Sequence, residues 1–148
     1  MKLGYNAPAS DEDDCFMKKI YALGYGNWKR LEDFVKYLET FEIGVLVDVR
    51  RFPTSKNLEF KRENLEVELP KLGIGYVCMS ETLGGFRKGG YKRYTETEEY
   101  KAGIKQLLEM AKETNIAVMC VEPKSKYCHR RLIAQTLSEM GTNVILLE

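Results

Sequence analysis

Val45-Leu46-Val47-Asp48-Val49 reads as a strand that is apolar on both faces until Asp48 interrupts it. A strand in the middle of a parallel sheet is covered by helices on both sides, so its apolar residues run on instead of alternating. The flanking segments keep the same rhythm. Upstream, Ile20-Tyr21-Ala22-Leu23 forms a short strand broken by Gly24-Tyr25-Gly26. Asn27 is then expected to cap a helix whose apolar stripe is Leu31, Phe34, Val35, Leu38 and Phe41, with Gly44 ending it. Downstream, a loop with Pro53 leads to a short helix around Asn64 to Leu69, and Ile74 to Val77 is a third strand. Thr95 and Glu98 have the spacing of a capping box for a long helix carrying Tyr100, Ile104, Leu107, Leu108 and Ala111. Ile116 to Val121 is a fourth strand, Cys128 to Met140 a helix turning Leu132, Ile133 and Leu137 inward, and Asn143 to Leu147 a closing strand. Strands alternating with helices indicate βαβ crossovers. The expected fold is a three-layer α/β domain with a mostly parallel five-stranded sheet and helices on both faces.

Residues 1–16 differ from the rest. Ala7-Pro8-Ala9-Ser10 and the acidic run Asp11 to Asp14 offer no apolar face, so they are expected to form a flexible, solvated leader to a single domain at 17–148. A chain of 148 residues is long enough for one such core. A net charge of +1 gives no global pull toward nucleic acid, so an electrostatic partner must be recognised by a local patch. No apolar run approaches the roughly 20 residues of a membrane span, and Met1 to Asn6 lacks the apolar core of a secretory signal. The expected compartment is the cytoplasm. There Cys15, Cys78, Cys120 and Cys128 read as free thiols or ligands.

In open α/β sheets, ligands bind beyond the carboxyl ends of the strands. Those ends carry Tyr25, the Asp48-Val49-Arg50-Arg51 run, Leu83-Gly84-Gly85 just past Cys78, and the unit from Cys120 to Arg131. Cys128 falls near the start of its helix, where unpaired backbone N–H groups and the macrodipole favour negative charge. With His129, Arg130 and Arg131 beside it, the position suits a thiolate nucleophile. It equally suits a bound phosphate or carboxylate held by an arginine fork. Glu122 at the strand end is a candidate general base or an orienter for an arginine. Asp48 and Arg50, two apart on a strand, share a face and form either a structural ion pair or part of the site. Arg51 turns the other way, toward solvent or a phosphate. The bland reading leaves Cys128 packed, His129 merely polar and the arginines solvating their helix.

Two other readings compete. Cys78, Cys120, Cys128 and His129 are ligand types that zinc or iron uses, but they lack a close pair such as C-x-x-C. No cofactor is therefore expected, with zinc or iron as the minority alternative. Phe86-Arg87-Lys88-Gly89-Gly90-Tyr91-Lys92-Arg93-Tyr94 interleaves cations with rings and has no acid, as a nucleic-acid-binding loop does. It equally suits a soluble lid with glycine hinges.

Tyr21-Ala22-Leu23-Gly24-Tyr25-Gly26, Leu46-Val47-Asp48-Val49-Arg50, Leu83-Gly84-Gly85 and Cys120-x-Glu122…Cys128-His129-Arg130 together resemble the family called domain of unknown function 488. The resemblance runs from about Ile20 to the C-terminus. It departs at the acidic leader and at Asn27-Trp28, where the family more often has a Ser- or Thr-containing helix start. It implies an α/β domain and carries no established activity. Taken together, the residues point to an enzyme acting on a small anionic ligand, phosphate- or nucleotide-containing. In that reading Cys128, Glu122, Asp48 and His129 are the reactive or orienting groups. Arg50, Arg130, Arg131, Arg87, Gly84, Gly85 and Tyr25 line the anion site. The rival is a non-catalytic nucleic-acid or nucleotide-binding module built on residues 86–94.

Overall fold

The computed structural model describes residues 18–122 and 129–147. The acidic leader, Cys15 and Cys128 lie outside the described residues. Five strands, β1 (Ile20–Gly24), β2 (Ile43–Asp48), β3 (Gly75–Cys78), β4 (Asn115–Cys120) and β5 (Val144–Leu147), form one parallel sheet in the order β3-β2-β4-β1-β5. Between them run α1 (Leu31–Glu39), α2 (Arg62–Lys71), the short α3 (Ser80–Leu83) and α4 (Tyr91–Tyr94), then α5 (Glu98–Ala111) and α6 (Arg130–Glu139).

The order of the strands follows from two directions of travel. From β1 through β2 to β3 the chain moves toward one edge; from β3 through β4 to β5 it moves toward the other. Parallel crossovers are right-handed, so reversing direction moves the helices to the opposite face. The core divides accordingly. Leu31, Phe34, Val35 and Leu38 of α1 and Leu65 and Leu69 of α2 pack with Tyr21, Leu46, Ala117 and Met119 on one face. Tyr100, Ile104, Leu107 and Ala111 of α5 and Ile133 and Leu137 of α6 pack with Val47, Ile116 and Val118 on the other. The expected three-layer sheet is present, and all of its strands are parallel.

Helix boundaries differ from the expected ones at three places. Asn27 does not start α1. Arg30 is its N-cap residue, and the Leu31 N–H donates to Glu59 Oε1 at 2.8 Å, from a segment 28 positions along the chain. Gly44 does not end α1 either: the helix stops at Glu39 and Gly44 lies inside β2. The cap of α5 is Thr97, whose Oγ1 accepts from Tyr100 N–H, two residues later than the expected Thr95. Glu98 and Glu99 then sit in the first turn, where the helix dipole favours them.

Two strands depart in opposite directions side by side. β2 and β4 are neighbours; the chain leaves β2 toward the β3 edge and leaves β4 toward the β5 edge. Such a divergence opens a crevice beyond the carboxyl ends, the place where sheets of this kind bind ligands. The register aligns those ends, pairing Asp48 with Met119 and with Cys78, and Gly24 with Cys120. The Val49 N–H still donates to Met119 O at 3.0 Å before the two chains part.

Phe60 supports this end of the sheet from beneath. It is fully buried, with its ring 4.5 Å from that of Tyr25 and 5.5 Å from that of Phe34. Phe60→Ala should cost about 3–5 kcal/mol, the usual range for deleting a buried ring. Chemical denaturation of the variant measures it.

Candidate functional site

Asp48 ends β2 fully buried, and its two oxygens are saturated. Oδ1 accepts from the Arg50 backbone N–H at 3.1 Å and from Arg50 Nε at 2.9 Å; Oδ2 accepts from Arg50 Nη2 at 2.7 Å and from Tyr76 Oη at 2.6 Å. These bonds fill the four lone-pair positions of a carboxylate. Asp48 therefore holds Arg50 and Tyr76 in place, with both oxygens occupied. Arg50 is equally constrained. Its Nη1 donates to Tyr25 Oη at 3.2 Å and to the Thr54 carbonyl at 3.1 Å. Burial acts to lower the Arg50 pKa, but the hydrogen bond and charge of Asp48 outweigh it, and the net shift is upward. Tyr76 stays protonated, pushed up by burial first and then by the Asp48 charge, so it remains a donor. Tyr25 serves as a buried bracket, stacked on Phe60 and accepting from Arg50.

A hollow of about 370 Å³ lies over this cluster, lined by Arg50, Arg51, Phe52, Gly85, Phe86, Cys120, Val121, Glu122 and His129. Its walls come from the loops after β2 and β4, the diverging pair, together with the start of α6 and the loop after α3. Glu122 is an exposed carboxylate on one wall and Arg51 a half-buried cation on the other.

His129 closes the floor. Its Nε2 stands 2.7 Å from the Val49 carbonyl and its ring centroid 4.9 Å from that of Tyr91. Burial lowers its pKa to about 4, and the charges of Arg130 and Arg87 add to the effect against the opposing pull of the Val49 carbonyl. The ring is therefore neutral at neutral pH. Because a carbonyl can only accept, the proton sits on Nε2 and the Nδ1 lone pair turns toward Gly85. A Cβ on Gly85 would come 2.9 Å from Nδ1. A Cβ on Gly84 would overlap the Ser80 carbonyl and come 2.7 Å from Arg51 Cα. The two glycines thus permit close packing between the loop after α3, the loop after β2 and the imidazole.

The other expected residues are distributed differently. Arg130 is fully buried and donates from Nη1 to Cys120 Sγ, so it does not line the hollow. Arg131 is exposed and is not among the lining residues. Arg87 is committed to the Gly84 carbonyl at 2.8 Å and the Ser80 carbonyl at 3.2 Å, with its guanidinium 4.0 Å above the Tyr94 ring. It ties the loop down and does not face a ligand. Cys120 is buried and disulfide-bonded, which corrects its reading as a free thiol or metal ligand; Cys78 is free and half-buried. Among the described residues no group of three His, Cys, Asp or Glu side chains could hold a metal ion. Cys128 lies outside the described residues.

Tyr76, Phe52 and Val121 carried no signal in the sequence. Tyr76 reaches Asp48 only because β3 pairs with β2, and Phe52 and Val121 line one hollow only because β4 pairs with β2.

The family model described as "Domain of unknown function DUF488" matches residues 30–137. The chain belongs to this family. The match takes in the Asp48–Arg50 pair, the diglycine and the start of α6, the parts that build the DUF488 hollow here. No curated protein and no solved structure matches the chain. Among the described residues no helix is long and apolar enough to cross a membrane.

Two outcomes follow from this geometry. Asp48→Ala leaves the Arg50 charge buried without its partner and should cost about 3–5 kcal/mol, whereas Asp48→Ala combined with Arg50→Met should recover much of that loss. Denaturant midpoints of the two variants decide it. His129, the chain's one histidine, gives a single imidazole resonance that should titrate near pH 4. An unfolded histidine titrates near 6.5, so between those values the unfolded chain holds one more proton. Stability should rise with pH across that window and fall as pH drops through it. His129→Gln should remove this part of the slope.

Proposed function

We propose that this DUF488 domain binds a small anionic ligand, phosphate- or nucleotide-containing, in the hollow between the β2 and β4 loops, and acts on it as an enzyme. The observation that carries the reading is the hollow itself. It opens where the two central strands diverge, and its β2 wall is cationic. Arg51 supplies the charge. Arg50, its own charge paired with Asp48, holds that wall in place. Among the described lining residues, Glu122 and His129 are the groups able to handle a proton. Glu122 is open to solvent, and His129 is a neutral imidazole at neutral pH.

The rival module on residues 86–94 has less behind it. Tyr91 and Tyr94 donate their hydroxyls to the Leu83 and Thr82 carbonyls at 2.7 Å, Tyr94 is buried, and Arg87 is spent on carbonyls. Of the rings in that segment only Phe86 stands fully exposed.

A screen of phosphorylated small molecules for a rise in melting temperature tests the proposal. A hit at a hundred times its Kd should stabilise by about 2.7 kcal/mol. Arg51→Ala should abolish the rise and Arg131→Ala should leave it unchanged. Glu122→Gln should keep the thermal shift while turnover of the hit falls by about 10²–10⁴-fold. Hits indifferent to Arg51 would end this reading.

A further inference from the structure

The cationic wall leaves the rim of the hollow unexplained. Phe52, from the loop after β2, is 67% exposed, and Phe86, from the loop after α3, is 87% exposed. Both line the hollow, and their rings stack with centroids 6.3 Å apart and planes 27° apart. The Arg51 guanidinium lies 5.8 Å from the Phe52 ring centroid. Singly exposed apolar residues are ordinary on a protein surface. Here two phenylalanines from separate loops meet at the mouth of one cavity.

The backbone adds an independent observation. Phe86 has φ +57°, in the left-handed region that bulky residues avoid. No burial offsets that strain, because the ring is almost wholly exposed. Residues held in such conformations cluster where a side chain must be presented to a ligand. Gly84, just before, lets the Phe86 loop press on the backbone of Arg51, and Arg51 precedes Phe52. The two rings are thus positioned relative to each other by backbone packing, before any ligand arrives.

We propose that the ligand carries a planar aromatic ring that stacks on the Phe52–Phe86 platform while its anionic group lies against Arg51, the chemistry of a mononucleotide. This rests on the anion site proposed above and adds the other half of the ligand. Val121, 44% exposed on the β4 side, supplies a further apolar wall. The hollow's volume falls in the lower part of the range for small-ligand pockets, roughly 300–1,000 Å³. A single-stranded nucleic acid would need a cationic track with successive stacking rings; the described residues around this hollow form one platform.

The test is calorimetric titration of the full chain with AMP, GMP, CMP and UMP, and with ribose 5-phosphate as the ringless control. At least one mononucleotide should bind about tenfold or more tighter than ribose 5-phosphate, the scale of one base–aromatic stack. Phe86→Ala should erase that advantage and leave ribose 5-phosphate binding unchanged, and Phe86→Trp should preserve it. Because the ring is exposed, circular dichroism should show the Phe86→Ala protein folded. If ribose 5-phosphate binds as tightly as the nucleotides and only Arg51→Ala weakens it, the ring is overturned and the anion site stands. If neither class binds, both readings fall. An oligonucleotide binding far more tightly than every mononucleotide, with the same dependence on Phe86, would overturn the mononucleotide in favour of a strand.

Discussion

The buried pair between Asp48 and Arg50 sets the geometry of everything at the carboxyl end of this sheet. A charge taken out of water is tolerated only when paired and hydrogen-bonded, and here both partners are nearly saturated. Asp48 receives two bonds from the Arg50 side chain, one from its backbone and one from Tyr76. Arg50 in turn grips Tyr25 from the β1 end and Thr54 from its own loop. The network joins β1, β2, β3 and the loop that carries Arg51 and Phe52. Loosening any member moves the wall of the hollow.

Packing at the other wall depends on the absence of side chains. Gly84 and Gly85 let one loop lie against Arg51 and the imidazole of His129 in a space that a single methyl group would fill. Desolvated there, His129 loses its proton near pH 4, well below the range of an ordinary imidazole. His129 is therefore a neutral ring whose Nε2 bonds the Val49 carbonyl. Among the described residues, unpaired positive charge at the hollow comes from Arg51 on the opposite, β2 wall, while Arg130 is drawn into the interior and Arg87 into a loop brace.

The layers were legible because their physics is local. A run such as Val45 to Val49 states that both faces are covered, and the stripe of α1 states which side turns inward. Helix starts were less legible where the cap came from afar: Glu59 caps Leu31 across 28 residues, and no local pattern records that. The site divided in the same way. Asp48, Arg50 and Glu122 stand out because polar residues end apolar strands, and His129 and the diglycine because they lie at helix ends beside those strands. Phe52, Val121 and Tyr76 look like ordinary members of a loop or strand until the sheet order brings them together.

By itself, then, the sequence determined the alternation of strands and helices, the two buried faces, and the gathering of polar residues and glycines at the carboxyl ends. Those follow from residue type and period, which a chain carries wherever it lies. Tertiary structure alone decided that β4 inserts between β2 and β1, and so which ends diverge to make a hollow. It also decided which arginines keep their charge at a surface and which are buried. Both outcomes depend on contacts between residues tens of positions apart, and their burial and pairing exist only once the sheet is assembled.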